Sequence, residues 1–188
     1  VMEERRSRTD DDPHATLHEQ MMATIYTLHP YRTPVIGWMN DLRNMQQADA
    51  RGWYEKWYAP NNATLVVAGD VEPEAVFALA EKFFGPIPAR TLPVRKPQIE
   101  TPQTGIKRIT VKAPAELPYL VMAYHAPVLR DVEKDWEPYA MFVLNGILDG
   151  SDAARLNRSM VRKSRVANSA NSSYDLINRG PALFFLDG

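Results

Sequence analysis

The chain has 188 residues, 45% of them hydrophobic and 24% charged, which is enough to bury a core. Its 22 Lys and Arg against 23 Asp and Glu leave a net charge of -1, without the basic excess of a nucleic-acid surface. With no cysteine, disulfides and thiolate zinc sites are excluded, and any metal must use His, Asp or Glu.

In chain order, Val1 to Leu28 reads as helix, interrupted at Asp10-Asp11-Asp12-Pro13. Pro13 suits the first turn of a second helix with Asp12 as its N-cap. The chain opens directly in a charged helical pattern without an initiator Met, which predicts an interior segment of a longer protein. His29 to Gly37 is a loop punctuated by Pro30 and Pro34. Gln47 to Tyr58 is a helix whose apolar face carries Trp53, Tyr54 and Trp57, expected in a core. After a turn at Pro60-Asn61-Asn62, the apolar run Thr64 to Gly69 predicts a buried strand. Pro73 to Phe84 is a helix ending at Gly85, with Val76, Leu79, Ala80 and Phe83 at helical spacing.

Five prolines from Pro86 to Pro102 then mark an extended, semi-rigid linker. Ile106 to Val111 alternates apolar and basic residues as a half-exposed strand does, and Tyr119 to Tyr124 is a second strand. Helices are predicted over Asp135 to Leu148 and Asp152 to Lys163, and strands over Val166 to Tyr174 and Leu183 to Leu186. The fold class is therefore α+β, in two units over 1–86 and 105–188 joined by a linker over 87–104. The longest apolar run, Tyr139 to Leu148, is half a membrane span and is broken by Asn145 and Gly146.

Several segments, in order, resemble the pitrilysin/insulinase family of zinc metallopeptidases, in the manner of a bacterial member similar to the mitochondrial processing peptidases. They are Val1-Met2-Glu3-Glu4-Arg5-Arg6 with Asp10 to Pro13, His29-Pro30-Tyr31 with Pro34 to Gly37, Tyr58 to Ala63 leading into Val66 to Asp70, and Phe83 to Pro88. The resemblance continues through Leu144 to Arg155. It implies the back half of one metallopeptidase-like α/β sandwich domain, joined by the Pro-rich linker to the front half of a second, homologous domain. Half of each repeat would be present, so no segment recurs.

The family's zinc site is a His-x-x-Glu-His helix, whose Glu is the general base, plus one Glu from a later helix. No His-x-x-Glu-His occurs here, so the resemblance places that motif upstream and implies no catalytic residue within these residues. The distal ligand falls on Glu4, with Glu3 as the rival one residue away. His14 and His18, four apart and followed by Glu19, have zinc-compatible spacing, but Leu17 stands where the base would be, so a solvated helix face is the reading. His29 and His125 read as structural, and Arg155, Arg158, Arg162, Lys163 and Arg165 as a solvated basic face.

Active members of the family carry an Arg and, seven residues later, a Tyr that bind the substrate backbone and stabilise the oxyanion. The corresponding places here are Val161 and Asn168, or Arg162 and Ser169 one register on. The resemblance thus implies a zinc-dependent endopeptidase acting on unfolded peptides, inactive as this fragment, with a homologous partner subunit supplying the Arg/Tyr pair. The alternative is a non-catalytic partner or scaffold subunit. Similar bacterial chains are often exported, which points to the periplasm, with the cytoplasm as the alternative.

Overall fold

The structure, a computed structural model, describes residues 1–188. It has six α-helices and one three-stranded antiparallel sheet, so the mixed class expected from the sequence is present. No helix is long and apolar enough to cross a membrane. The chain forms two compact units, one of Val1, Glu3–Ile36 and Gln98–Gly188, the other of Met2 and Gly37–Pro97.

In the larger unit, strands β1 (Val121–Ala126), β2 (Asn171–Tyr174) and β3 (Ala182–Asp187) lie in the order β1-β3-β2. Val121, Asp187 and Asn171 share one register position, and Ala123, Phe185 and Ser173 the next on the same face. Period-two alternation thus sends Leu183 and Phe185 to one side of the sheet and Ala182, Phe184 and Tyr174 to the other. Helix α2 (Pro13–Ile25) covers the first side, where Leu183 packs with Ile25, Tyr26 and Met22. Helix α6 (Trp136–Asp149) covers the second, where Tyr174, Ala182 and Phe184 meet Met141 and Leu148. The unit is an α/β/α sandwich with a small core on each side of the sheet.

Local chemistry sets the ends of these elements. Asp12 Oδ1 accepts from the backbone N–H groups of His14 and Ala15, and Pro13 opens α2, as the sequence reading expects. At the other end of α2, Lys107 donates to the Thr24 carbonyl, and the Glu100 carboxylate accepts from the backbone N–H groups of Thr27, Leu28 and His29. Residues 98–107 therefore form a strap over the end of α2. Asn145 and Asp149 on α6 bind the Ser172 hydroxyl and backbone N–H, fixing that helix to β2.

The smaller unit holds α3 (Met39–Asn44), which the sequence reading missed, α4 (Gln47–Trp57) and α5 (Pro73–Phe84). Here the expected core is not found. Trp53, Tyr54 and Tyr58 are each more than half exposed, and Ala59 is the one buried residue of the unit. The aromatic residues pack on each other instead, with Tyr54 stacked on Tyr58 at 4.5 Å and the Arg95 guanidinium 4.3 Å over Trp57. The expected strand Thr64 to Gly69 has no ladder partner, and Leu65, Val66 and Val67 are exposed. Ile106 to Val111 is likewise unpaired. A strand needs a neighbour for its backbone groups, and an apolar run cannot supply one by itself.

Candidate functional site

Glu4 lies on α1 (Met2–Arg5), a single helical turn that runs into a π-helical turn, Arg6–Asp10. Such π-turns inside helices are frequent at functional sites. The Glu4 carboxylate is half exposed and pairs with Arg8 at 3.1 Å, while Glu3 pairs with Arg6 at 2.9 Å and is far more exposed. A carboxylate oxygen held only by a surface arginine is a donor that a metal could take over. Nothing completes the set, because no group of three His, Asp or Glu residues converges anywhere in the structure.

What holds the Glu4 segment in place is buried. Arg5 points inward and makes two hydrogen bonds to Glu19 on α2, at 2.7 and 2.8 Å, with both side chains under 10% exposed. Asp10 adds a longer contact at 3.5 Å. The bond to Glu19, set against burial and joined by the charges of Glu19 and Asp10, raises the Arg5 pKa further and keeps it charged. Thr16 on α2 also donates to the Thr9 carbonyl at 2.8 Å. The segment carrying Glu4 is therefore fastened to α2 by a bidentate ion pair, which sequence reading did not find. Arg5 and Glu19 are 14 residues apart, and no local spacing rule connects them.

The His-Pro-Tyr loop is structural, as expected. His29 Nδ1 caps a short turn by accepting from the Tyr31 N–H, and the Tyr31 hydroxyl donates to Asn178 and accepts from the Gly180 N–H, both at 3.0 Å. His125 lies edge-on to the buried Tyr26 ring at 5.5 Å. Burial, with the charges of Tyr31 and Glu100, pushes the Tyr26 phenol up to about 12.

The α2 histidines are both exposed, as the solvated helix face read from the sequence requires, and they also border a cavity. His14 and His18 line an open cavity of about 380 Å³ together with Tyr119, Ser173, Phe185 and Asp187. The His14 ring lies 4.2 Å from Tyr119, and His18 lies 6.4 Å from Phe185. The signal that could have found this cavity is the strand alternation of Tyr119, Val121 and Ala123, which puts Tyr119 on the α2 side.

Val161 lies half-buried in a second π-helical turn, Asn157–Lys163, and Asn168 is exposed in the loop before β2. Between them Arg165 takes a left-handed conformation with φ of 51°. The basic residues Arg155, Arg158, Arg162, Lys163 and Arg165 are all exposed, as a solvated face should be.

Comparison with known proteins gives consistent matches. The family described as "Peptidase M16 inactive domain" matches residues 44–187. The chain is similar to the zinc protease PqqE of Helicobacter pylori, with 29% identity over all of this chain and 42% of that protein. It is also similar to an uncharacterised zinc protease of Mycobacterium leprae, with 28% identity over 97% of this chain and 40% of that protein. Among solved structures, a protease from Helicobacter pylori aligns with a TM-score of 0.83 and 28% identity, covering 99% of this chain and 45% of that one. A putative M16-like peptidase from Alicyclobacillus acidocaldarius aligns with a TM-score of 0.71 over 100% of this chain and 44% of its own; at 16% identity this likeness concerns the fold alone. The chain thus spans about two fifths of the length of the curated relatives it matches.

Proposed function

The chain belongs to the peptidase M16 (pitrilysin/insulinase) family, and from that membership we propose that it is a segment of a zinc-dependent endopeptidase acting on unfolded peptides. The observation that carries this reading is the match of the whole chain, without a large gap, to proteins named zinc proteases. Glu4 would be the distal zinc ligand, and the Arg5–Glu19 pair would keep its carboxylate in place. Zinc, when bound, supplies a Lewis acid and an activated water. The other ligands and the general base would come from a His-x-x-Glu-His helix preceding these residues. Residues 1–86 would be the back half of one domain and 105–188 the front half of its homologue.

A second reading is favoured by Val161 and Asn168. Val161 has no polar side-chain atom, and the Asn168 amide is neutral and exposed, so neither replaces the charged and phenolic donors of the family. On that reading the protein is the zinc-bearing half of a divided site, or a non-catalytic partner subunit.

The test uses the full-length protein. Glu4→Gln should lower both bound zinc, measured by elemental analysis, and peptide turnover, while leaving the circular dichroism unchanged. Glu3→Gln should leave both as they are. If Glu3→Gln removes zinc and Glu4→Gln does not, the ligand assignment is off by one residue. If neither protein nor variants bind zinc, the non-catalytic reading stands.

A further inference from the structure

The cavity between α2 and the sheet has a composition that selects for charge. No lysine or arginine lines it. Its carboxylate, Asp187, is held in place by two donors, the Tyr119 hydroxyl and the Asn171 side-chain amide, each at 2.9 Å. Both bonds fall on Oδ2, so Oδ1 keeps its capacity to accept. Burial, followed by the hydrogen bond and charge of Asp187, pushes the Tyr119 phenol up to about 12, so it remains a proton donor to the carboxylate. Burial lowers the pKa of His18, which favours its neutral form. The site therefore sets the Asp187 carboxylate among aromatic walls, Tyr119, Phe185 and the rings of His14 and His18.

A cation with an apolar stem suits this arrangement in two ways. Its charged head pairs with the fixed carboxylate, and its stem and charge lie against ring faces, where cations are attracted. An anion would be repelled by Asp187. A purely apolar ligand would take Asp187 Oδ1 out of water without offering it a donor. The volume of about 380 Å³ accommodates a long side chain. Ser173 at the rim lies on the edge strand β2, with its side chain accessible.

We propose that this cavity binds the basic side chain, arginine or lysine, of a peptide segment. The site needs no zinc and no hydrolysis, so it stands or falls separately from the peptidase reading. It would act as a docking pocket for basic residues in extended chains.

The test is an NMR titration of the isotope-labelled 188-residue chain at pH 7.5. The probes are N-acetyl-arginine methylamide and its citrulline counterpart, which has nearly the same shape and no charge. The arginine probe should shift the amides of His18, Phe185 and Asp187 and saturate. The citrulline probe should bind on the order of tenfold more weakly. Asp187→Asn keeps an acceptor for Tyr119 and Asn171 and should lower arginine affinity by about the same factor. Ser173→Lys places a competing ammonium at an exposed strand position and should abolish binding with the amide spectrum otherwise preserved. This second variant decides the matter if Asp187→Asn does not fold. Equal affinity for the two probes, or arginine binding unchanged in the variant that folds, would overturn the proposal.

Discussion

Replacing Glu19 by Gln tests the anchor beneath the Glu4 segment. In the native protein two hydrogen bonds of 2.7 and 2.8 Å join Arg5 and Glu19, whose side chains are 6% and 8% exposed. Gln keeps one carbonyl acceptor. Its amide NH₂ turns toward a guanidinium N–H, and neither can accept. The charge that balanced Arg5 is gone as well. Breaking one side of a buried ion pair costs about 3–5 kcal/mol. The lower end applies, about 3 kcal/mol, because Asp10 remains 3.5 Å from Arg5 and its side chain is 41% exposed. With a urea slope of about 2 kcal/mol per molar, the unfolding midpoint should fall by about 1.5 M. Urea titration followed by far-UV circular dichroism, with hydrogen exchange in α2 as the local probe, measures it. The double variant Arg5→Met/Glu19→Met should recover most of the loss, because an apolar pair has no stranded charge. A midpoint shift under about 0.5 M would mean that the pair behaves like a surface salt bridge, and the argument for an anchor would fail.

The strap makes a pH prediction. Burial pushes the Glu100 carboxyl up, but hydrogen bonds from His29, Thr27 and Leu28 outweigh it and hold its pKa down to about 2. Since this folded value lies below that of the unfolded chain, the contribution is complete above about pH 4.5 and is lost as pH falls toward 2. Hydrogen exchange at Thr27 to His29 should lose its protection over that window, and Glu100→Gln should remove the pH dependence. Gly180→Ala should destabilise by about 1–3 kcal/mol in thermal unfolding, because a Cβ there would lie 2.7 Å from the Tyr31 ring, which its two hydrogen bonds keep from moving aside. For the divided-site reading, zinc-loaded full-length protein should hydrolyse a peptide slowly alone and about 10²–10³ faster with a homologous partner bearing the Arg/Tyr pair, at constant zinc content. Equal rates would show that it is self-sufficient.

Much of the helical content was legible because its signals are local. Asp12 with Pro13 and the apolar spacing of Pro73 to Phe84 each place a helix within a few residues of where it stands. The strand Tyr119 to Tyr124 was two residues early, because its ends depend on pairing with β3 some 60 residues on. Thr64 to Gly69 has the composition of a strand, but pairing is a property of two segments and no second one is present. The same limit applies to the site. Glu4 came from motif order, whereas the Arg5–Glu19 anchor and the cavity around Asp187 join residues whose proximity only the folded chain creates. Nor does the aromatic spacing of α4 reveal that Trp53, Tyr54 and Tyr58 remain open to solvent.

The larger unit is discontinuous along the chain, and this has a consequence for its biosynthesis. Tyr26, near the start, donates to the Pro181 carbonyl, and Ile25 packs on Leu183 in the last strand. The ribosome must therefore make more than 150 further residues before α2 can bury its apolar side. Until then that side is available to chaperones, and the loop to be closed is nearly the whole chain. Closure of so long a loop adds only slowly to the entropic cost but delays the event. Once it has closed, a protease cut between 37 and 97 severs the polypeptide without separating the two segments, because the sandwich contacts still join residues 1–36 to residues 98–188. Cleavage there would appear on a denaturing gel long before it appeared as a loss of structure.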